Sequence, residues 1–457
     1  SKLFQFFRIN DPYRLFFVFV LALAIRIVFL IVGEGVTVYE FKWLLLGERL
    51  GDGFVMYREA FDYTGPLASG FYKYLDLIFG RSAVAHQVIA SIILFVNAAL
   101  FNLILVRNRA YDENNFVPAL IFVLLGSALP DLSALSPQLM ASFFVIMSLN
   151  NVLRRIDNQL GEELFLHSGL YLGVAGLFYL PSVLFFFLFL VAFILFSSAK
   201  SRRIVLYVYG LLLPFLVAYG YFAWLDGGAY FLEMYLGRIN DPVNYFLETK
   251  WAWMIAGFLA FWLLVGFYGA FFLFSQNNYE SRILQIMILF VISTVLIILL
   301  DRELSLAQFV LFIPPISYFL TYYFLAVKKL IWRAIMPVLF LGTCLAAPYV
   351  MEEAADRSFG ELPYNVPFGS KLLVTTDDLT VYKPYDFTSP FIDQYLSQTQ
   401  MKRLDYYDSA MDLYYAIEKD KPLYIVDKLD LMPLIFERFP DMGEAYVRTG
   451  FGYRLNK

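Results

Sequence analysis

Long apolar runs alternate with short polar segments along most of the chain. A helix of roughly 20 apolar residues crosses a bilayer while satisfying its own backbone hydrogen bonds. The first run suits a retained span better than the short core of a signal peptide. The two runs around "GLFYLPSVLFF" could instead form one kinked or re-entrant element. The pattern therefore predicts about eleven spans, at 15–33, 84–106, 116–130, 137–153, 164–179, 182–198, 204–224, 251–275, 283–300, 306–326 and 331–350.

Lysine and arginine concentrate in alternate loops between these spans. Because cytoplasmic loops carry the excess of these residues, the pattern predicts a cytoplasmic N-terminus and an extracytoplasmic C-terminus. The long polar loop at 34–83 then also lies outside the cytoplasm. The cations in question are Lys2, Arg8, Arg14, Arg107, Arg109, Arg154, Arg155, Lys200, Arg202, Arg203, Arg282, Lys328, Lys329 and Arg333.

The pattern changes after residue 350. "KLLVTTDDLTVY" alternates like a pair of strands, while "PLYIVDK" and "YVRTGFGYRL" each indicate a further strand. "DSAMDLYYAIEKD" and "LMPLIFERF" have helical spacing. The sequence therefore predicts a transmembrane helical domain at 1–350 and a small soluble extracytoplasmic α/β domain at 351–457.

Composition supports an integral membrane protein. Of 457 residues, 60% are hydrophobic and 16% charged, against roughly 45–50% and 25% in soluble domains. The net charge of -4 and the lack of a basic block argue against a nucleic-acid partner. One cysteine, Cys344, excludes an internal disulfide or a multi-cysteine metal site.

The first polar loop holds the candidate chemistry. Residues 38–50 and 67–78 have the spacing of two amphipathic helices lying at the membrane interface. Glu40 falls near the start of the first helix, where the helix dipole favours a carboxylate. Asp62 precedes Thr64-Gly65-Pro66 and is suited to holding that turn by a backbone hydrogen bond. Two such helices would frame a pocket for a lipid-like substrate, or simply cap the bundle.

This loop resembles the first extracytoplasmic loop of GT-C-fold glycosyltransferases. The fold class that the resemblance implies is an all-α polytopic membrane protein with a small extracytoplasmic α/β domain. "LAIRIVFL", with Arg26, resembles the family's first span, and "FIPPISYFL" its late Pro-Pro helix. The matching loop positions are Glu40, Gly53, Tyr57, Asp62, Pro66, Leu67, Phe79 and Gly80.

The resemblance also implies residue roles. Glu40 would be the catalytic base or a metal ligand, with Asp62 and Asp131 as weaker catalytic candidates. Arg302, and less strongly Arg26, would bind a lipid phosphate. The acidic motif is degenerate, because the family's usual aspartate falls on Tyr39, leaving Glu40 alone. Gln138 and the pair Ala307-Gln308 also depart from the family's pattern.

Two functions remain open from the sequence. One is a glycosyltransferase of a bacterial inner membrane that moves a sugar from a polyprenyl-phosphate donor to an envelope acceptor. The other is a non-catalytic relative that serves as a scaffold subunit, with envelope protein partners bound through 351–457. Membrane lipid is a partner in both. The metal site is not identified, and a divalent metal ion is an optional cofactor under the first function. A transporter fits least, since no repeat is visible.

Overall fold

The computed structural model describes most of the chain. The described residues are 2–9, 11, 13–32, 37–128, 134–156, 161–197, 200–240, 244–245, 249–274, 277–301, 303–350, 366–375, 379–393, 396, 404–428, 430–450 and 452–456. They form eighteen α-helices and seven strands, with short 3₁₀ and π turns between them.

The helices follow the predicted apolar pattern closely. Each of the eleven predicted spans contains a helix. In chain order the helices are α1 (Lys2–Phe7), α2 (Tyr13–Val32), α3 (Val38–Gly51), α4 (Pro66–Phe79), α5 (Ala83–Arg107), α6 (Val117–Gly126), α7 (Pro137–Ile156), α8 (Glu163–Phe178), α9 (Phe185–Ser197), α10 (Ser201–Trp224), α11 (Gly228–Tyr230), α12 (Thr249–Tyr268), α13 (Asn278–Leu300), α14 (Ile313–Ala326), α15 (Leu330–Val350), α16 (Tyr407–Lys419), α17 (Met432–Arg438) and α18 (Pro440–Glu444).

Six helical segments among the described residues are long and apolar enough to cross a membrane. They are Ala83–Arg107, Ser201–Trp224, Trp253–Leu273, Asn278–Leu300, Leu306–Ala326 and Leu330–Ala347. Val117–Gly126, Glu163–Phe178 and Leu180–Phe196 are apolar but shorter. The chain is therefore a polytopic, mainly helical membrane protein, and the count of eleven spans stays a prediction.

The chain packs as two compact units. The first contains Ser1–Gly35, Val84–Val217 and Ile239–Ala355, and the second contains Val36–Ala83, Ala218–Arg238 and Asp356–Lys457. The predicted division at residues 350 and 351 stays a prediction. By its packing, the first polar loop belongs to the same unit as the C-terminal residues.

Close helix packing in the first unit depends on glycine. A Cβ on Gly169 of α8 would lie 2.1 Å from the Tyr207 carbonyl oxygen, and one on Gly210 of α10 would lie 2.3 Å from the Leu166 carbonyl oxygen. Small residues of this kind let two membrane helices approach at the backbone. At Pro181, where the sequence leaves two spans or one kinked or re-entrant element open, a 3₁₀ turn at Leu180–Leu184 lies between α8 and α9.

The second unit begins with the two loop helices that the sequence predicts. Thr37 caps α3 by accepting a hydrogen bond from the Glu40 backbone N–H, and Pro66 opens α4 at a position where its missing N–H costs nothing. The two helices pack closely. A Cβ on Gly47 would lie 2.8 Å from the Tyr72 carbonyl oxygen.

A five-stranded sheet forms the rest of this unit. Its strands are β3 (Lys371–Thr375), β4 (Asp386–Phe387), β5 (Tyr424–Asp427), β6 (Tyr446–Thr449) and β7 (Gly452–Leu455), in the spatial order β4-β3-β5-β7-β6. The strand β3 is parallel to β4 and β5, whereas β7 is antiparallel to β5 and β6. In the first unit, β1 (Asn244–Tyr245) and β2 (Glu303–Leu304) form a short parallel pair.

Two strand predictions need correction. The segment "KLLVTTDDLTVY" forms one strand, β3, followed by a 3₁₀ turn at Leu379–Tyr382, because β3 pairs with β4 and β5 and not with its own continuation. The segment "YVRTGFGYRL" is a hairpin of two strands and not a single strand. The predicted strand in "PLYIVDK" and both predicted helices, α16 and α17, are confirmed.

Candidate functional site

Glu40 lies in the first turn of α3. Its backbone N–H donates to the Thr37 hydroxyl over 3.3 Å, so the cap fixes the start of the helix at this residue. The residue is only 2% exposed. A carboxylate here interacts favourably with the partial positive charge at the helix N-terminus. The predicted position of Glu40 near the start of a helix is confirmed.

Asp62, in the loop after α3, lies close to Lys42 of that helix. Lys42 Nζ is 2.9 Å from Asp62 Oδ2, and Asp62 is 1% exposed. The other carboxylate oxygen, Oδ1, accepts a hydrogen bond of 2.6 Å from the Thr64 backbone N–H. The hydrogen bond that the sequence suggested for the Thr64-Gly65-Pro66 turn is therefore present, and the same carboxylate holds Lys42 in place.

A third carboxylate comes from the far end of the chain. Asp393 Oδ2 lies 3.6 Å from Lys42 Nζ. Its segment is fastened to the loop by backbone hydrogen bonds, from Phe61 N to Pro390 O over 3.1 Å and from Asp393 N to Phe61 O over 2.9 Å. Phe61 and Phe391 form a parallel bridge, and their rings lie 6.5 Å apart. The C-terminal residues thus contribute a carboxylate next to Lys42.

Tyr72 of α4 lies near two of the carboxylates, those of Asp62 and Glu40. Its side chain is fully buried, and its ring stacks on Trp43 with 5.9 Å between the ring centroids. Burial raises the pKa of the Tyr72 hydroxyl well above its usual value, and the nearby negative charges of Asp62 and Glu40 raise it further. Both carboxylates therefore lie near one phenol that stays protonated at neutral pH. We call Glu40, Lys42, Asp62, Tyr72 and Asp393 the loop cluster.

Tyr57 fixes the loop between α3 and α4. Its backbone φ is 70°, a left-handed conformation that costs a non-glycine residue roughly 1–3 kcal/mol unless its surroundings enforce it. The side chain is fully buried, and the hydroxyl donates to the Thr64 carbonyl oxygen over 2.8 Å. Its ring packs against Phe222, Phe231 and Tyr235. The Tyr57 hydroxyl and the Asp62 carboxylate thus both bind the backbone of Thr64 and hold the turn there.

Polar contacts join the last turn of α3 to the C-terminal residues. Arg49 is fully buried, and its Nη1 lies 2.8 Å from Asp420 Oδ2. Burial lowers the pKa of the Arg49 guanidinium, and the Asp420 charge opposes that shift. Arg81 binds both oxygens of Glu48 and donates to the carbonyl oxygens of Tyr382 and Tyr385. These pairs hold α3 against the sheet and α16.

The other predicted site residues lie elsewhere. Arg26 belongs to the first unit, is buried, and donates from Nε to the Ser91 hydroxyl over 2.9 Å. Asp131 and Arg302 lie outside the described residues. The neighbour of Arg302, Asp301, is buried and accepts hydrogen bonds from Tyr179 and, over 2.7 Å, from Gln308 Nε2.

A metal site is not evident in the part of the chain that the structure describes. Within those residues, no three His, Cys, Asp or Glu side chains are grouped closely enough to hold a metal ion. In the loop cluster, Asp62 is instead engaged by Lys42 and by a backbone N–H. The described residues therefore do not fit a divalent metal.

Sequence reasoning did not identify three members of the loop cluster. Lys42 and Tyr72 sit within the predicted amphipathic helices, but Lys42 is two positions from Glu40, a spacing at which side chains do not share a helix face. Helical periodicity therefore did not group them with Glu40. Asp393 gave no local signal. Its approach to Lys42 depends on pairing between the loop and a distant segment, which no local pattern encodes.

Comparison with known proteins gives little further information. No protein-family model matches the chain, and no curated protein matches it. Among solved structures, it is similar to the crystal structure of the Archaeoglobus fulgidus oligosaccharyltransferase in complex with Zn and sulfate. The two are 13% identical, with a TM-score of 0.45 over 96% of this chain and 73% of that one. A likeness of this extent supports no functional argument.

Proposed function

We propose that the chain is a GT-C-like membrane glycosyltransferase that moves a sugar from a polyprenyl-phosphate donor to an acceptor in the cell envelope. The observation that carries this proposal is the placement of Glu40. It is a buried carboxylate in the first turn of α3 and, like Asp62, lies near Tyr72, in the first polar loop of a polytopic membrane protein. We further propose a bacterial inner membrane, with the loop cluster on the extracytoplasmic side.

The proposed reaction gives Glu40 the role of general base. The acceptor hydroxyl oxygen attacks the anomeric carbon of the sugar, and its proton passes to a carboxylate oxygen of Glu40. The bond between the anomeric carbon and the phosphate oxygen breaks, and its electron pair leaves with polyprenyl phosphate. Attack opposite the leaving group inverts the anomeric configuration. A positioned base contributes about 10²–10⁴-fold to such a step.

Neighbouring residues would position this base. The Lys42–Asp62 pair fixes the loop that follows α3, and Asp393 fastens the pair to the C-terminal residues. Tyr72 lies near Glu40 as a buried, protonated phenol and helps to define the surroundings of this carboxylate. We propose that Arg302 and, less directly, Arg26 contact the donor phosphate, since an arginine fork suits phosphate geometry. Asp131 remains a weaker catalytic candidate.

The test is Glu40→Gln, which keeps the shape of the side chain and removes the charge. Membranes containing the wild-type or variant protein are incubated with radiolabelled polyprenyl-phosphate mannose and polyprenyl-phosphate glucose. We expect release of polyprenyl phosphate and sugar transfer to fall about 10²–10⁴-fold in the variant. Glu418→Gln is the matched control, because Glu418 belongs to the same unit and pairs with the nearby Lys421.

A non-catalytic scaffold is the second candidate, and one observation favours it. Glu40 is almost fully enclosed, and Asp62 is engaged by Lys42 and Thr64, as expected of structural carboxylates. Under this function Glu40→Gln is silent, whereas removal of residues 351–457 releases envelope proteins that co-purify with the chain. Unchanged glycans in the first variant, together with lost partners in the second, would favour the scaffold function over the enzymatic one.

A further inference from the structure

A pocket that is open to its surroundings lies among four helices of the first unit. Its walls come from α1, the start of α6, the end of α14 and the start of α15. The ring of Phe4 lies 4.3 Å from that of Phe324, which seats α1 on the end of α14. The walls are therefore mainly apolar and aromatic, and the polar groups are few.

The pocket lies at a membrane face. The segments Leu306–Ala326 and Leu330–Ala347 are both long and apolar enough to be spans, and only Val327, Lys328 and Lys329 separate them. A connection this short must turn at the membrane surface, because each span uses its full length to cross the hydrocarbon. The pocket residues Val327, Trp332 and Arg333 stand at this turn.

The polar groups of the pocket are mainly cationic. Arg8 and Arg333 line it, and Lys328 and Lys329 are exposed beside it. Arg8 donates from Nε and Nη2 to the two oxygens of Glu113, over 2.7 and 2.9 Å. Arg8 is therefore paired with Glu113, while Lys328, Lys329 and Arg333 bring three cations within six residues of the chain. A planar guanidinium with a forked set of donors is well suited to a phosphate group.

An apolar strip leads away from these cations. Leu330 and Ile331 are 79% and 68% exposed, and Trp332, Ile335 and Val338 on the same helix are also exposed. Tryptophan prefers the level of the lipid headgroups. A molecule with a phosphate in the pocket would therefore lay an acyl chain along α15.

We propose that this pocket binds an anionic membrane phospholipid, with the phosphate held by Arg333 and Arg8 and one acyl chain packed along α15. The site is distinct from the loop cluster, and its role does not rest on the proposed enzymatic function. A phospholipid fits because it combines the two features of the site, a phosphate and a long apolar chain. A soluble phosphate compound would use the cations and leave the apolar strip without an occupant.

Native mass spectrometry of the purified full-length protein tests this. Phosphatidylglycerol or phosphatidylcholine is added to the detergent-solubilised protein, and bound lipid is counted. We expect selective retention of phosphatidylglycerol by the wild type and roughly a five- to tenfold weaker affinity in Arg333→Gln. Arg333→Lys should lose part of the affinity, since the charge remains and the fork does not. Arg202→Gln is the matched control, because Arg202 is exposed and lies outside the pocket.

Three results would overturn the proposal. Equal retention of the two lipids would show that the pocket does not select a negative charge. An equal loss in Arg333→Gln and Arg202→Gln would reduce the effect to general surface charge. Competition by inorganic phosphate as strong as that by intact phosphatidylglycerol would show that the acyl chain is not bound. Size-exclusion profiles identical to the wild type confirm that each variant is folded.

Discussion

Lys42 is the residue on which the loop cluster depends. It lies between two buried carboxylates, Asp62 at 2.9 Å and Asp393 at 3.6 Å. Each carboxylate belongs to a different stretch of the chain, so one ammonium joins α3, the loop after it and the C-terminal residues. Removing one partner of a buried ion pair leaves an uncompensated charge in a poorly solvated place.

We therefore expect Lys42→Met to destabilise the protein by about 3–5 kcal/mol. The measurement is the thermal unfolding of purified protein, followed by circular dichroism. Lys421→Met is the control, because Lys421 forms a partly exposed pair with Glu418 over 2.8 Å, and such pairs contribute about 0–1 kcal/mol. Adding Asp62→Asn to Lys42→Met should recover part of the loss. Equal shifts in the two lysine variants would contradict a central role for Lys42.

At the scale of elements, the packing of α3 on α4 brings carboxylates together. A Cβ on Gly51 would lie 2.7 Å from Asp76 Oδ2, so the absence of a side chain at Gly51 makes room for this acid. Partial burial, together with the charges of Glu48 and Asp52, raises the pKa of Asp76 to about 6, although Arg81 opposes the shift. The helix pair therefore contains a group that titrates just below neutral pH.

This shift predicts a pH dependence of stability. Between about pH 4 and 6 the folded state binds the Asp76 proton more tightly than the unfolded state, so stability falls as pH rises through this window. Asp76→Asn removes the titration, and the unfolding temperature of this variant should rise relative to the wild type from pH 4 to pH 7. Raising the salt concentration should reduce only the part of this difference in unfolding temperature that comes from the charges of Glu48 and Asp52. Parallel curves for the two proteins would rule out this role for Asp76.

At the scale of the whole molecule, the grouping of the loop with the C-terminal residues bears on topology. Arg58 pairs with Asp412 over 3.0 Å, and Lys419 with Glu59 over 3.1 Å. Ion pairs of this kind require both segments on the same side of the membrane. Together with the distribution of lysine and arginine, this leads us to predict that both segments are extracytoplasmic.

Cysteine labelling with a membrane-impermeant reagent checks the prediction. In a Cys344→Ser background, Ser82→Cys and Ser370→Cys should both react in intact cells, because both belong to the second unit. Ser201→Cys, beside the cations at the start of α10, should react only after the membrane is made permeable. Protection of the first two sites would reverse the orientation, and opposite behaviour of Ser82→Cys and Ser370→Cys would be incompatible with the pairing of their segments.

How far the sequence predicts this protein depends on the range of the interactions. The helices were predictable, since apolar runs and the caps at Thr37 and Pro66 are local signals. Glu40 and the Asp62 turn were found in the same way. The engagement of Asp62 by Lys42 needs the loop to fold back on α3, and Asp393 needs a segment from the other end of the chain. These contacts depend on tertiary pairing, for which a single sequence holds no periodic signal.

The ion pair between Arg49 and Asp420 has a consequence for biosynthesis. The two residues are 371 positions apart. At about 5–20 residues per second, roughly 20–75 s pass between the synthesis of one and the synthesis of the other. During that interval the newly made helix α3 carries a guanidinium whose carboxylate partner does not yet exist. Until the ribosome has passed Asp420, water or other polar groups must therefore solvate the Arg49 guanidinium, and its burial can be completed only afterwards.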